Sequence, residues 1–306
     1  MRLTANQEGV KHIFKKVYNL YMELKPLILD EIRGGRPDNA LFYNVFLDYN
    51  NEYLTIVGHE LLNYNNFLPF QVFFNNEQLK NEAIIDKQNP SDRSYYIKFK
   101  LTKKPKRENV VKVETGEKTS MTYAVPKNTY KYGNRILTTT QKDNELTWIE
   151  DWANYYRNKY NVEQVIIYDD RSHNQKELID YFKNTFVKII KCVELTDGSK
   201  GHMAGPIDHI GIQVAMLHNT LFQFLRKDAY LFNFDIDEIL MVEPDTLDSL
   251  LEKYDSCIFN QCVVPFITNK KKYSYSDFKL KKENLEAVTQ APKYIVSRMG
   301  AEKLWA

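Results

Sequence analysis

The hydrophobic positions of this chain change rhythm near residue 134. From about Asn39 to Tyr132 they fall in short apolar or aromatic runs, Leu41–Leu47, Tyr53–Val57, Phe70–Phe74, Tyr95–Leu101 and Val110–Val113, parted by breaks that carry Asn, Asp, Pro and Gly. Runs of that length bounded by turn-forming residues predict antiparallel β structure. Tyr95–Leu101 alternates, with Ile97, Phe99 and Leu101 on one face and Tyr96, Lys98 and Lys100 on the other, which predicts a half-buried strand. Upstream, Val10, Phe14, Val17, Tyr21 and Leu24 recur at helical spacing, so a helix is predicted from Val10 to Ile32, interrupted at Pro26 and followed by the break Gly34-Gly35-Arg36-Pro37.

After Asn134 strands and helices alternate. Ile136–Thr140 is a β-branched strand, Asp143 or Asn144 is the predicted N-cap, and Ile149, Trp152, Ala153, Tyr156 and Tyr160 make an apolar stripe before the strand Val165–Tyr168. A helix around Lys176–Asn184, a strand at Val187–Val193, a long helix with Ile210, Val214, Leu217, Leu221 and Phe224 on one face, and the strand Tyr230–Phe234 continue the pattern. Such alternation predicts an α/β domain with a mostly parallel central sheet covered on both faces, its ligands at the carboxyl ends of the strands. The expected organisation is a helix plus a smaller β-rich module over residues 1–133, then the α/β domain over 134–306.

Three polar clusters fall at those carboxyl ends: Thr140-Gln141-Lys142, Asp169-Asp170, and Asp235-Ile236-Asp237-Glu238. Residues two apart in an extended segment point the same way, so Asp235 and Asp237 would aim two carboxylates at one point. Oxygen ligands suit Mg²⁺ or Mn²⁺, and a cation held by one or two carboxylates keeps positions free for a substrate's phosphates. Each residue also has a plainer reading. Thr139 is a normal strand residue, Asp169 and Asp170 are normal turn and cap residues, and Trp148 and Trp152 read as helix packing.

Composition narrows the classes. With 306 residues, 43% of them apolar, the chain can bury a sizeable core in about two domains. The 42 Lys and Arg against 40 Asp and Glu leave a charge of +2, without the basic excess of a nucleic-acid binder. Cys192, Cys257 and Cys262 lack metal-ligand spacing, and the first two read as small buried thiols in a reducing compartment. No apolar run approaches the roughly 18 residues of a membrane span, so the expected setting is cytoplasmic. Lys270-Lys271-Lys272 with Lys279, Lys281 and Lys282 is a candidate for peripheral contact with an anionic membrane, a solvated loop being the alternative. The small-residue loop Asp197–Gly205 is a candidate wall of a ligand pocket or a plain surface loop, and it lacks the Gly-Lys-Ser/Thr of a phosphate loop.

Taken in order, these segments resemble glycosyltransferases of the GT-A fold, specifically glycosyltransferase family 92 and its family 2-like relatives, over about Arg135 to Leu251. The resemblance rests on Lys142-Asp143-Asn144-Glu145 followed by Trp148-Ile149-Glu150-Asp151-Trp152, on Tyr168-Asp169-Asp170-Arg171-Ser172, and on Asp235-Ile236-Asp237-Glu238. It implies a Rossmann-like domain that binds a nucleotide-sugar donor, uridine-linked, and moves the sugar to a glycan acceptor in surface polysaccharide assembly. It further implies that Thr139, Gln141, Glu145 and Asp169 lie around the nucleoside, that Ser172 caps the following helix, and that Asp235 and Asp237 bind Mn²⁺ or Mg²⁺ under the diphosphate. Glu238 is expected to face back into the fold and orient the turn.

The chain departs from that pattern downstream, where related enzymes provide a histidine metal ligand: none of its six histidines follows Glu238. Asp277, Glu283 and Glu286 are the carboxylates in the right part of the chain for a catalytic base. A metal-dependent phosphohydrolase, or a non-catalytic nucleotide-sugar-binding or scaffold module, would use the same carboxylates.

Overall fold

The described residues open with ten short strands: β1 (Met22–Glu23), β2 (Leu27–Ile28), β3 (Ala40–Phe42), β4 (Asn44–Leu47), β5 (Tyr53–His59), β6 (Gln71–Phe74), β7 (Glu77–Gln78), β8 (Ser94–Lys100), β9 (Glu108–Glu114) and β10 (Ser120–Pro126). Then follow β11 (Arg135–Gln141), α1 (Leu146–Tyr160), β12 (Gln164–Asp169), α2 (Gln175–Phe182), β13 (Val187–Lys191), α3 (Pro206–Gln223), β14 (Tyr230–Asn233), α4 (Pro244–Lys253), β15 (Ser256–Cys262), β16 (Ala287–Ser297) and α5 (Arg298–Leu304). This computed structural model describes residues 22–28, 40–59, 67, 70–80, 94–117, 119–130, 132–192, 206–262 and 287–304. The class is mixed α/β. The chain divides into two units, one of Met1–Lys131 and Lys191–Phe224, the other of Tyr132–Ile190 and Leu225–Trp305.

The first unit is built of small antiparallel sheets: β2 with β3, β4-β5-β8, and β10-β9-β6-β7. Their inward residues, among them Val45, Leu54, Ile56, Val72, Ile97, Phe99, Val111 and Val113, form one buried cluster. The β4–β5 turn is set by Asp48, whose Oδ1 accepts the backbone N–H groups of Glu52 (2.7 Å) and Tyr53 (2.9 Å), with Asn51 in the left-handed region that Asn tolerates. On β8, Ile97 and Phe99 are buried as predicted, but Tyr96 on the opposite face is buried too. Tyr96 packs edge-on against His218 and at a tilt against Phe222 of α3.

Two sequence expectations change here, and one strand, β10, was not anticipated. The end of the predicted N-terminal helix is instead β1 and β2: Pro26 lacks the N–H a helix needs, and Leu27 and Ile28 pair with Phe42 and Ala40. The remainder of that prediction lies outside the described residues. Strand β10 carries no period-two signal, since Tyr123, Ala124 and Val125 are buried consecutively. The long helix α3, expected to cover the parallel sheet, packs on β4, β5 and β8 of the first unit. It is buried through Ala215–Phe222, so its apolar stripe alone did not specify a partner. Polar contacts do: Asn44 Nδ2 donates to Asn219 Oδ1 (2.7 Å), and Asn128 Nδ2 to the Gln223 carbonyl (2.6 Å).

In the second unit β13, β12, β11, β14, β16 and β15 neighbour one another in that order. β11 runs parallel to both β12 and β14, and β16 runs antiparallel to β14 and to β15, so the sheet is mixed. From β11 the chain moves to one side through α1 to β12 and β13, and it resumes on the other side as β14. The point where the order reverses therefore lies between β11 and β14. In open α/β sheets such a switch point leaves a crevice outside the carboxyl ends of the two strands. Helix α1 buries Ile149, Trp152, Ala153, Tyr156 and Tyr160, the stripe read from the sequence. Its N-cap is Glu145, at φ −65° and ψ 139° and with no side-chain cap bond, rather than Asp143 or Asn144. Asp143 is in the left-handed region, and the Asn144 amide groups are spent on Gln141 Oε1. Cys192 and Cys257 are half-buried rather than fully enclosed. Among the described residues no helix is long and apolar enough to cross a membrane.

Candidate functional site

The carboxyl ends of β11 and β14 are joined by side chains. The register sets Thr138 beside Asn233, which brings the next residues of both strands to the crevice, and Thr139 Oγ1 lies 3.4 Å from Asp235 Oδ1. Thr139 is itself buried, while Asp235 is partly open to solvent.

β14 ends at Asn233, and Ile236-Asp237 is a turn closed by the Glu238 N–H to the Asp235 carbonyl (3.0 Å). The extended geometry expected for Asp235-Ile236-Asp237 is thus replaced by a bend, which buries Ile236 and exposes Asp237. Glu238 Oε2 accepts the Asp235 N–H (2.7 Å), so this side chain orients the turn from inside.

A cation meets these carboxylates from the neighbouring strand. Tyr294 of β16 pairs with Asn233, so Lys293 stands just past the end of β14, with Nζ 2.5 Å from Asp235 Oδ2 and 3.2 Å from Glu238 Oε2. Burial works against the ammonium, but the joint attraction of Asp235 and Glu238 outweighs it and holds Lys293 above the usual lysine range. Burial, reinforced by the like charge of Asp235, raises Glu238 above the usual carboxylate range, and the Asp235 N–H and Lys293 oppose that rise. Asp235, Asp237 and Glu238 against Lys293, three carboxylates less one ammonium, leave the turn with up to two excess negative charges.

Three tyrosines of α1 fix the segment after the turn. Tyr155 Oη donates to the Leu240 carbonyl (2.7 Å), and Tyr160 Oη to the Val242 carbonyl (2.8 Å). Tyr156 Oη donates to the Glu238 carbonyl (3.2 Å) and accepts the Leu240 N–H (3.0 Å). Burial raises the Tyr156 hydroxyl well above its usual range, which keeps it a donor. Its ring also packs on Phe234, with centroids 5.4 Å apart.

At the other wall, Gln141 and Asp169 are register partners at the ends of β11 and β12, and Gln141 Nε2 donates to Asp169 Oδ1. Asp169 is fully buried and also accepts from Ser172 Oγ (2.5 Å), the Ser172 N–H (3.3 Å) and Gln175 Nε2 (2.5 Å). Ser172 Oγ accepts the Asp143 N–H (2.8 Å), and Asp143 Oδ1 accepts the His173 N–H (2.7 Å), which stitches the loops after β11 and β12 together. That N–H, followed by the His173 ring, holds Asp143 below the usual carboxylate range. Asp143 and Arg171, one in each loop, both have φ of 57°, a conformation that non-glycine residues adopt at a cost and that concentrates at functional sites. Glu145 is exposed at the start of α1.

Of the residues singled out in the sequence, the structure therefore brings Thr139 to Asp235 and Gln141 to Asp169, while Glu145 and Asp237 face solvent. Asp277, Glu283, Glu286, the loop at 197–205 and the basic cluster at 270–282 lie outside the described residues. Lys293 and the three tyrosines were missed as site residues. The only sequence sign of Lys293 is one charge at the head of the apolar run Tyr294-Ile295-Val296, which acquires meaning once the pairing register is known.

Carboxylate oxygens are the donor type a hard dication takes. Asp235 Oδ1 and Asp237 are oxygen donors, and no group of three His, Cys, Asp or Glu that could hold a metal occurs among the described residues. Such a cation would complete its shell with phosphate oxygens and water, the usual arrangement for Mg²⁺. No protein-family model matches this chain, and no curated protein matches it.

Proposed function

We propose that the second unit is a GT-A-like nucleotide-sugar-binding domain and that the protein transfers a sugar from a nucleotide donor, uridine-linked, to a glycan acceptor. The observation that carries this reading is the contact between Thr139 and Asp235 across the switch point, with acidic oxygens on one side of the crevice and the Gln141–Asp169 wall on the other. An excess of negative charge at the place where a negatively charged diphosphate would sit is reconciled by a dication between them. When bound, Mn²⁺ or Mg²⁺ would supply Lewis-acid stabilisation to a diphosphate leaving group, which gains charge in the transition state.

The chain's own residues do the rest. Asp235 and Asp237 would hold the cation. Thr139 orients Asp235 from the β11 side, and Glu238 fixes the backbone from which both aspartates project. The Tyr155–Tyr156–Tyr160 bracket keeps the segment from shifting when charge arrives. Gln141, held by Asp169 and Ser172, shapes the wall against which the nucleoside would lie, with Glu145 at its outer rim.

A melting screen of nucleotide sugars with and without Mn²⁺ tests this reading. A ligand present at 100 times its dissociation constant adds about 2.7 kcal/mol to native stability, so one nucleotide sugar should raise the melting temperature clearly in Mn²⁺. Absence of any such shift, or release of inorganic phosphate from simple phosphate esters in its place, would refute the assignment. Binding with no transfer to any glycan mixture would leave a binding module and not an enzyme.

A further inference from the structure

We infer that Lys293 is a positioning residue for this site: a cation built into the protein that holds Asp235 with Oδ2 turned inward and so reserves Oδ1 for the cation that arrives with the donor. The inference rests on the proposed reading of the crevice as a cation and diphosphate site. Three observations carry it. Lys293 touches both Asp235 (2.5 Å) and Glu238 (3.2 Å), and its side chain is only 13% exposed. The remaining oxygen, Asp235 Oδ1, lies 3.4 Å from Thr139 Oγ1, on a side chain that is 40% exposed. The ammonium comes from β16, the strand in register with β14, so its position is set by sheet pairing and not by a loop.

The space shared by Asp235 and Glu238 is already filled by an ammonium, which keeps a dication from settling there. The incoming cation is directed outward, to Asp235 Oδ1 and Asp237, where its free positions face the substrate. Lys293 thereby couples cation binding to diphosphate binding without touching the diphosphate.

The test measures Mn²⁺ binding by electron paramagnetic resonance and UDP binding by calorimetry, each with and without the other, on the wild-type protein, Lys293→Met and Lys293→Arg. Mutual enhancement of two ligands must be equal from either side. In the wild type, Mn²⁺ should tighten UDP binding at least about tenfold, a coupling free energy of about 1.4 kcal/mol. In Lys293→Met, Mn²⁺ alone should bind at least as tightly as in the wild type, drawn into the vacated place between Asp235 and Glu238, while the enhancement of UDP falls to about twofold or less. Lys293→Arg should keep most of the coupling.

A merely structural lysine would give a different result, with Mn²⁺ and UDP weakening together in Lys293→Met, and that result would overturn the inference. So would coupling unchanged from the wild type. A wild-type protein that binds neither UDP nor Mn²⁺ would bring down the parent reading along with it.

Discussion

Replacing Asp237 with alanine will remove transfer from the nucleotide sugar almost completely and leave the fold as it is. Asp237 is exposed at the tip of the turn, where a truncation leaves no cavity and changes stability by about 0.5 kcal/mol or less. If Asp237 is one of two protein ligands to the leaving group's cation, as proposed, its loss should cost at least about a hundredfold in rate, or about 2.7 kcal/mol of transition-state stabilisation. The measurement pairs initial rates at saturating Mn²⁺ with a melting curve. Full activity in the variant would remove Asp237 from the site, and a collapsed melting curve would make it a structural residue.

Asp169→Ala should do the opposite, with its main effect on stability. The carboxylate is fully buried and takes hydrogen bonds from Gln141, Ser172 and Gln175. Its loss strands several buried donors at about 1–3 kcal/mol each. A destabilisation on the order of 3 kcal/mol or more is therefore expected in a denaturant titration of the purified protein. Asp169→Asn keeps an acceptor but turns an amide towards donors, and it should fall between the wild type and the alanine variant. Activity should drop in both, because Gln141 and the 141–145 loop lose the group that anchors them. A change below about 0.5 kcal/mol, the scale of an ordinary surface substitution, would mean that the network around Asp169 contributes nothing to the fold.

These two aspartates looked alike in the sequence, each at the end of an apolar strand, and nothing local told them apart. The strand Ile136–Thr140 was legible from its β-branched residues although four residues in a row are buried, and the apolar stripe of α1 because one helix face is buried with its natural period of 3.6 residues. The crossing from β11 to β12 was legible for the same reason. Strand β10 was not, since its buried residues Tyr123, Ala124 and Val125 are consecutive and only Val125 is β-branched. The partner of α3 was not, because a helix buried all round over Ala215–Phe222 fits either unit and is placed by Asn44, Asn128 and Asn219. The bend at Ile236-Asp237 was read as extended because a turn closed by a Glu three residues on has the same residue types as a charged strand end. Lys293 was beyond reach: its role exists only through the antiparallel pairing of β14 with β16, whose partners lie 61 positions apart at Asn233 and Tyr294.

The central claim, that two acidic side chains at the switch point hold a dication under a diphosphate, is tested most directly by a crystal structure of the protein with Mn²⁺ and UDP. The account predicts manganese bound to Asp235 and Asp237 with the diphosphate completing its shell, the uridine against the Gln141 wall, and Lys293 still paired with Asp235 and Glu238. UDP bound elsewhere, or Asp235 and Asp237 turned apart beside a filled crevice, would contradict it.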